Sequence, residues 1–408
     1  MRPSTRFCLQ KNEGGFRKRA NGSSPGDEPF FPNHTGVKDQ ATAHAIRELP
    51  AGALELDPCV RPYLDGMTRE SPVAFIDNAP VEMHLLDAWG TVLPIVVVEP
   101  ASGLPDICSP IARFAGYPRS EIAKRRTRWI RPWAVPALHG YGGLMRACQA
   151  ERTVYVNNWM LATNPETVLS ANHYRQLNAF LQRRYPAHAI VHRTVNPYLN
   201  RAHFDALQDA GGRMVCCRLV YLVDPTHPRF RRSSNVQLDR RHLRTTPYRV
   251  IDVSGSDGID TGRLAHLYRL LYLEKHSRLN AAYNARFFAL ILRTPFFQTK
   301  VFMRGECIDG FSVAYSSGGY LTSALVGYDV TLPQSLGLYR LAMMNTMLLA
   351  ENRGTLLHVS GGAGRFKTLR GAFPVREFDA VFDAHLPPWR RLPWRLAAVE
   401  GRLWRAPG

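Results

Sequence analysis

One order of elements occurs twice in this chain and limits its folds more than any other feature. Residues 153–161 read as a strand, 165–184 as a helix, 188–195 as a strand, 201–210 as a short helix and 213–223 as a strand. The same order returns as strand 320–329, helix 333–352, strand 355–360, short basic helix 365–371 and strand 376–385. A pattern repeated at such a period is the trace of a duplicated unit whose elements held while its residues diverged. Strands alternating with helices over short connections imply sheets covered by helices, so the expectation is an α/β protein with α+β mixed sheets in two tandem domains.

The remainder of the chain is assigned around that repeat. Residues 1–52 are rich in Gly, Pro, Ser, Asn and charge and show no period, so they are expected to be disordered. Residues 53–225 then form the first domain, 226–245 an arginine-rich connector, 246–386 the second domain and 387–408 a basic, Trp-rich tail. Within the first domain, 81–87 and 91–98 predict a hairpin turning at Trp89-Gly90, with Pro94 at an edge or bulge. A content of 45% hydrophobic residues can fill two cores in 408 residues. The net charge of +19 implies attraction to phosphates, nucleic acid or anionic membrane without naming one. The odd set of seven cysteines has no C-x-x-C pair and fits a reducing compartment, with Cys216 and Cys217 read as small core residues. The amino terminus lacks the apolar stretch of a secretory signal, and no run approaches the ~20 apolar residues of a membrane span. A cytoplasmic, monomeric protein is expected.

The chemistry concentrates in residues 326–377. Pro333 suits a first helical turn and Gly337 removes a side chain beside it, which leaves the N–H groups and positive dipole end of the helix bare for an anion. No acid occurs from Val330 through Met347, whereas Glu166 sits at the matching place in the first copy. The donor site is therefore assigned to the second half, and the first half to packing and part of the acceptor groove. Metal-ligand spacing, a G-x-S-x-G elbow and a phosphate-binding G-x-x-x-x-G-K-[ST] loop are all absent from the sequence, so no metal is expected.

The stretch Gln334-Ser335-Leu336-Gly337-Leu338-Tyr339 resembles the Q/R-x-x-G-x-G/A phosphate turn of GNAT-fold acyltransferases, with Tyr339 where that family usually has Gly or Ala. Gly361-Gly-Ala-Gly-Arg-Phe-Lys367 and Arg370-Gly371 resemble the glycine/lysine segment of the FemAB-like branch, in which the GNAT unit is doubled. The resemblance spans roughly Glu70 to Leu386. It implies two tandem GNAT-like domains and an N-acyltransferase that moves an acyl group from acyl-CoA to an amine of a small molecule or peptide. Gln334, Ser335, Leu336, Gly337 and Tyr339 would hold the acyl-CoA. Lys367 would stabilise charge on the carbonyl oxygen, Asp329 is a candidate base, and His358 is either a proton shuttle or a hydrogen-bonded core residue. Tyr328 and Tyr315 are candidate acids, Tyr315 on the substrate side, and the resemblance makes Asn284 and Arg286 acceptor contacts.

Two alternatives remain beside this reading: a FemAB-like transferase using aminoacyl-tRNA, and a non-catalytic phosphate- or membrane-binding protein. No heptads lie between Thr246 and Pro295 to match the coiled-coil insertion common in cell-wall FemAB-like enzymes, which favours acyl-CoA over tRNA. In the tail, arginines interleave with Trp389, Trp394 and Trp404, a composition suited to peripheral membrane contact. Pro393 and Gly401 limit its helix to about two turns, so docking of Trp394 on the protein is the expected use.

Overall fold

The computed structural model describes residues 46–53, 56–124, 131–253, 255 and 258–403. Most of the amino-terminal segment expected to be disordered lies outside them, but its end, β1 (Arg47–Leu49), is an ordered edge strand paired with β2. The first half continues through α1 (Arg61–Arg69) and the hairpin of β2 (Glu82–Ala88) and β3 (Thr91–Val98), which turns at Trp89-Gly90. Helices α2 (Tyr117–Lys124) and α3 (Arg131–Ala147) lead to the repeated pattern β4 (Thr153–Val156), α4 (Ala171–Arg184), β5 (Ala189–Val195), α5 (Arg201–Asp209) and β6 (Arg213–Val223).

The region read as a connector is folded. It forms α6 (Pro228–Arg231) and α7 (Ser234–Thr245), whose cap is the Ser233 side chain accepting from Val236 N–H. The second half follows as β7 (Arg249–Val253), α8 (Thr261–Tyr268), α9 (Ala285–Arg293), β8 (Gln298–Arg304), β9 (Cys307–Ser317) and β10 (Tyr320–Tyr328). Its repeated part ends with α10 (Leu338–Arg353), β11 (Leu357–His358), α11 (Gly364–Thr368) and β12 (Phe373–Phe382), before the tail helix α12 (Pro388–Leu403).

The strands form one twelve-stranded mixed sheet in the order β1-β2-β3-β4-β5-β12-β6-β11-β10-β9-β8-β7. This order is symmetric about the β12/β6 pair. On one side β3 and β4 run antiparallel, β4 and β5 parallel, and β5 and β12 antiparallel; on the other β9 and β10 run antiparallel, β10 and β11 parallel, and β11 and β6 antiparallel. Each half thus inserts its last strand into the other, β12 between β5 and β6, and β6 between β11 and β12.

Three apolar clusters follow from this arrangement. Leu177 and Leu181 of α4 lie a helical turn apart and pack with Ile190 and Val195 of β5 over the first half. Leu341, Met344 and Met347 of α10 pack with Leu321 and Leu357 over the second. The third cluster joins the halves on the opposite face, where Tyr155, Val191, Val215 and Val381 meet Phe287, Phe311 and Tyr315.

Several boundaries differ from the sequence reading for identifiable reasons. Helix α4 starts at Ala171, six residues late, because Tyr174 Oη donates to Thr167 O and accepts from Leu169 N–H, holding the preceding segment extended until Ser170 caps the helix. Strand β4 stops at Val156, and Asn157 and Met160 take left-handed conformations beyond it. Pro94 lies in an interior strand, one residue past the last pair that β3 makes with β4. Helix α12 runs through Pro393 because tertiary contacts override the local signal: Trp394 is buried against Phe114, and Arg390 donates to Cys148 O, Gln149 O and Ala187 O.

Candidate active site

The two copies differ at their parallel strand pair. In the first, β4 pairs with β5 along all four of its residues. In the second, β11 pairs with β10 only at Leu321↔Leu357 and Thr322↔His358. Beyond Thr322, β10 follows β9 through a bulge that leaves Ala324 without a partner, while the chain after β11 stays on β6 through Val359 N–H to Tyr221 O and Tyr221 N–H to Ser360 O. The strands part, and alternate backbone groups of 323–328 face the gap.

Helix α10 begins just past the end of β10. Gly337, at φ 62°, is its N-cap, and no side chain caps the N–H groups of the first turn. This corrects the expected helix start at Pro333: residues Gln334–Leu336 form a separate 3₁₀ turn, and left-handed Gly337 breaks the helical phase between them. The space beside Gly337 belongs to α7. A Cβ there would come within 2.3 Å of His242 Nε2, which lies 3.1 Å from Leu336 O. Helix α7 also carries buried Asp239, which accepts from Arg340 Nε at 2.7 Å and Arg370 Nε at 2.5 Å and so ties α10 to the turn after α11.

Opposite β10, the wall of the gap is the turn 359–364. Ser360, Gly362 and Ala363 are left-handed, and a Cβ on Gly364 would meet Tyr221 Oη. The turn is fixed from inside by Lys367, whose ammonium donates to Val359 O (2.5 Å), Ser360 O (3.1 Å) and Gly361 O (2.6 Å). Burial, with the Arg218 charge adding to it, brings its pKa down to about 7. Its three N–H groups are all occupied, so Lys367 is a buried brace for the turn rather than a cation offered to a carbonyl oxygen.

His358 is wholly buried. Its Nδ1 accepts from Ser360 N–H, which places the ring proton on Nε2, 3.3 Å from Glu377 Oε1. Burial lowers its pKa. Glu377 is held at a pKa of about 2, against its own burial, chiefly by Arg218 at 2.5 Å and then by His358. Of the two readings open for His358, the structure supports the hydrogen-bonded core histidine. Asp329 is also engaged: it accepts from Arg263 Nη2 (2.8 Å) and from Thr331 N–H and Oγ1–H, and its pKa is lowered although burial opposes this. A carboxylate so held is a poor base.

The mouth of the gap is aromatic. Tyr339 lies between Tyr328 (6.0 Å) and Phe366 (4.7 Å), and burial pushes its hydroxyl up to about 12. Lys275 Nζ lies 5.9 Å above the Tyr328 ring. Gln334 and Ser335 are exposed on the 3₁₀ turn and Leu336 is half-buried. The structure therefore brings Tyr328, Gly337 and Tyr339 together beside the turn that His358 and Lys367 support from inside, and leaves three candidates elsewhere. Asn284 caps α9 and donates to Asp77 Oδ1, Arg286 pairs with Glu70, and buried Tyr315 donates to Thr163 O.

Sequence reasoning missed Arg218 and Glu377, together with a second buried group on the same face, Arg113, Asp379 and Arg193. Their signal was available as charged residues interrupting otherwise apolar strands. Cys217 lies among them, half-buried and 3.0 Å from Arg113 Nη2, and burial raises its thiol pKa. Among the described residues no cluster of His, Cys, Asp and Glu can hold a metal, and no helix is long and apolar enough to cross a membrane.

No family model matches the chain, and no curated protein matches its sequence. Among solved structures the chain is similar to FemX, at 9% identity over 59% of this chain and 83% of that one, with a TM-score of 0.43. It is similar to a tandem GNAT protein from the clavulanic acid biosynthesis pathway, at 11% identity over 83% and 98% of the two chains, with a TM-score of 0.37. It is also similar to L-PGS from Bacillus licheniformis, at 13% identity over 57% and 77%, with a TM-score of 0.39. Likenesses with TM-scores below 0.5 carry no argument, and no residue role is carried over from them. The reciprocal exchange of last strands carries the duplication, and the fold is a doubled α/β fold.

Proposed function

We propose that the protein is an N-acyltransferase that moves an acyl group from acyl-CoA to an amine. The observation behind this reading is the parting of β10 from β11 beside the uncapped start of α10. Free first-turn N–H groups suit the pyrophosphate, and the open edge of β10 suits an extended pantetheine arm and its thioester carbonyl. The bulge at Ala324 supplies the opening. In the reaction a neutral amine attacks the thioester carbon, the C–N bond forms and the C–S bond breaks. The proton lost by the nitrogen goes to the departing thiolate, giving an amide and free CoA. Holding both reactants in the gap supplies much of the rate. Lys367 acts as a positioning residue through the 359–364 turn.

A second reading, transfer from aminoacyl-tRNA, is kept open by Arg229, Arg231 and Arg232, which are exposed at the start of the former connector. Release of free thiol from acetyl-CoA in the presence of a panel of primary amines tests the first reading. Thiol release that survives ribonuclease and depends only mildly on salt is expected. Activity that disappears with ribonuclease and returns with charged tRNA would replace acyl-CoA by the alternative.

A further inference from the structure

On the sheet face shared by the two halves, three adjacent strands are disturbed at one level. Cys217 is an extra residue of β6 between the pairs Glu377↔Arg218 and Phe378↔Cys216. On β5, Arg193 and Thr194 together oppose Asp379. Bulges re-aim side chains, and these two gather buried Arg193, Glu377 and Asp379 with half-buried Cys217 and Arg218 on one surface.

The charges on that surface do not close. Glu377 serves Arg218 and His358. Asp379 serves Arg113, at 2.8 Å from its Nε, and the N–H of Thr194. Arg193 has no carboxylate of its own. Its Nη1 donates to Asn158 Oδ1 (2.9 Å) and Leu161 O (3.3 Å) and its guanidinium lies 5.8 Å over the Tyr155 ring, but Nε and Nη2 are buried with no hydrogen-bond partner, in a residue only 4% exposed. Burial and the neighbouring Arg113 charge both disfavour its ionised form. A buried guanidinium left so is a heavy penalty that an arriving anion removes.

Asp106 supplies the complementary feature. It is half-buried, its backbone N–H donates to Leu279 O, and its carboxylate has no hydrogen bond or ion pair among the described residues. Its charge is felt by Arg193, Arg113 and Tyr117. From β11, at the gap, to β5, at Arg193, is three strand spacings, about 14 Å. Less the reach of the arginine side chain, that distance is the length of an amino acid to a dipeptide.

We infer that this surface is the acceptor subsite, with Arg193 binding a carboxylate and Asp106 facing an amine, so that the acceptor is an amino acid or short peptide. The assignment of an acceptor rests on the acyltransfer reading, but the subsite is tested without a donor. Titration calorimetry on the full chain uses the L-amino acids and simple dipeptides, each beside its methyl ester. The best free acid is expected to bind at least tenfold more tightly than its ester. Arg193→Gln should remove that difference, Arg193→Lys should restore part of it, and Asp106→Asn should weaken acid and ester alike. Esters that bind as well as acids, a folded Arg193→Gln protein that still discriminates, or no binding by any probe would overturn the inference. Should Arg193→Gln fail to fold, the wild-type ester comparison and Asp106→Asn decide. Amino-acid binding without thiol release from acetyl-CoA would count against the donor reading alone, and thiol release with plain amines but no amino-acid binding against the subsite alone.

Discussion

Lys367 is a residue whose type was legible and whose surroundings were not. A lysine after a glycine-rich turn suggests an exposed cation, yet this one is 2% exposed and holds three carbonyl oxygens. Lys367→Met would leave those acceptors unmatched, at about 1–3 kcal/mol for each that stays buried. The variant is expected to melt several degrees lower and to lose more than tenfold in thiol release, with no rescue by the bulkier Lys367→Arg. Unchanged melting would return Lys367 to the surface role. The acid-side pH dependence belongs to its neighbours. Glu377 has a native pKa near 2 against an ordinary 4.5, so the unfolded chain binds the extra proton between these values. The stabilisation it gives is complete above the ordinary value and is lost as pH falls toward 2. The lowered pKa of His358 acts in the same direction, beginning below its ordinary 6.5. Denaturant melts at stepped pH should show an acid limb that Glu377→Gln flattens at its lower end.

At the scale of elements, the sequence made the order of strands and helices readable wherever local pattern decides it. Strands β5, β6 and β10 and the β2/β3 hairpin fall within a residue or so of their expected places. Starts set by tertiary contacts were not readable. Helix α4 waits for Ser170 because of Tyr174, α10 waits for Gly337, and α12 continues through Pro393 because Trp394 and Arg390 dock. Gly337 gives the sharpest test at this scale. Gly337→Ala places a Cβ in a left-handed position, at about 1–2 kcal/mol, and against His242 as well. His242→Ala in that background is expected to relieve the second penalty but not the first, and calorimetry should find acetyl-CoA affinity lowered in the single variant and partly regained in the double. Equal affinity in wild type and Gly337→Ala would separate the donor site from this turn.

For the whole molecule, the duplication was visible in the repeated order of elements, but the exchange of last strands was not, because pairings between residues more than 150 apart leave no local pattern. That exchange makes the halves one folding unit. Residues 46–225 and 226–403 expressed separately are expected to lack cooperative melting, and the full chain to melt in one calorimetric transition. Two separated transitions would mean that the halves are independent. Removing 387–408 takes away Trp394 and the Arg390 contacts and should lower the melting temperature.

The central claim is that the gap between β10 and β11 and the start of α10 together hold the acyl donor. Amide hydrogen exchange with and without saturating acetyl-CoA tests it most directly, because it reads the backbone groups assigned to the ligand. Added protection is predicted at 323–328 and at 338–341, with little change in the matching first-half segment 153–160. Protection absent from both second-half segments, or concentrated instead at the start of α7 beside Arg229 and Arg232, would contradict it.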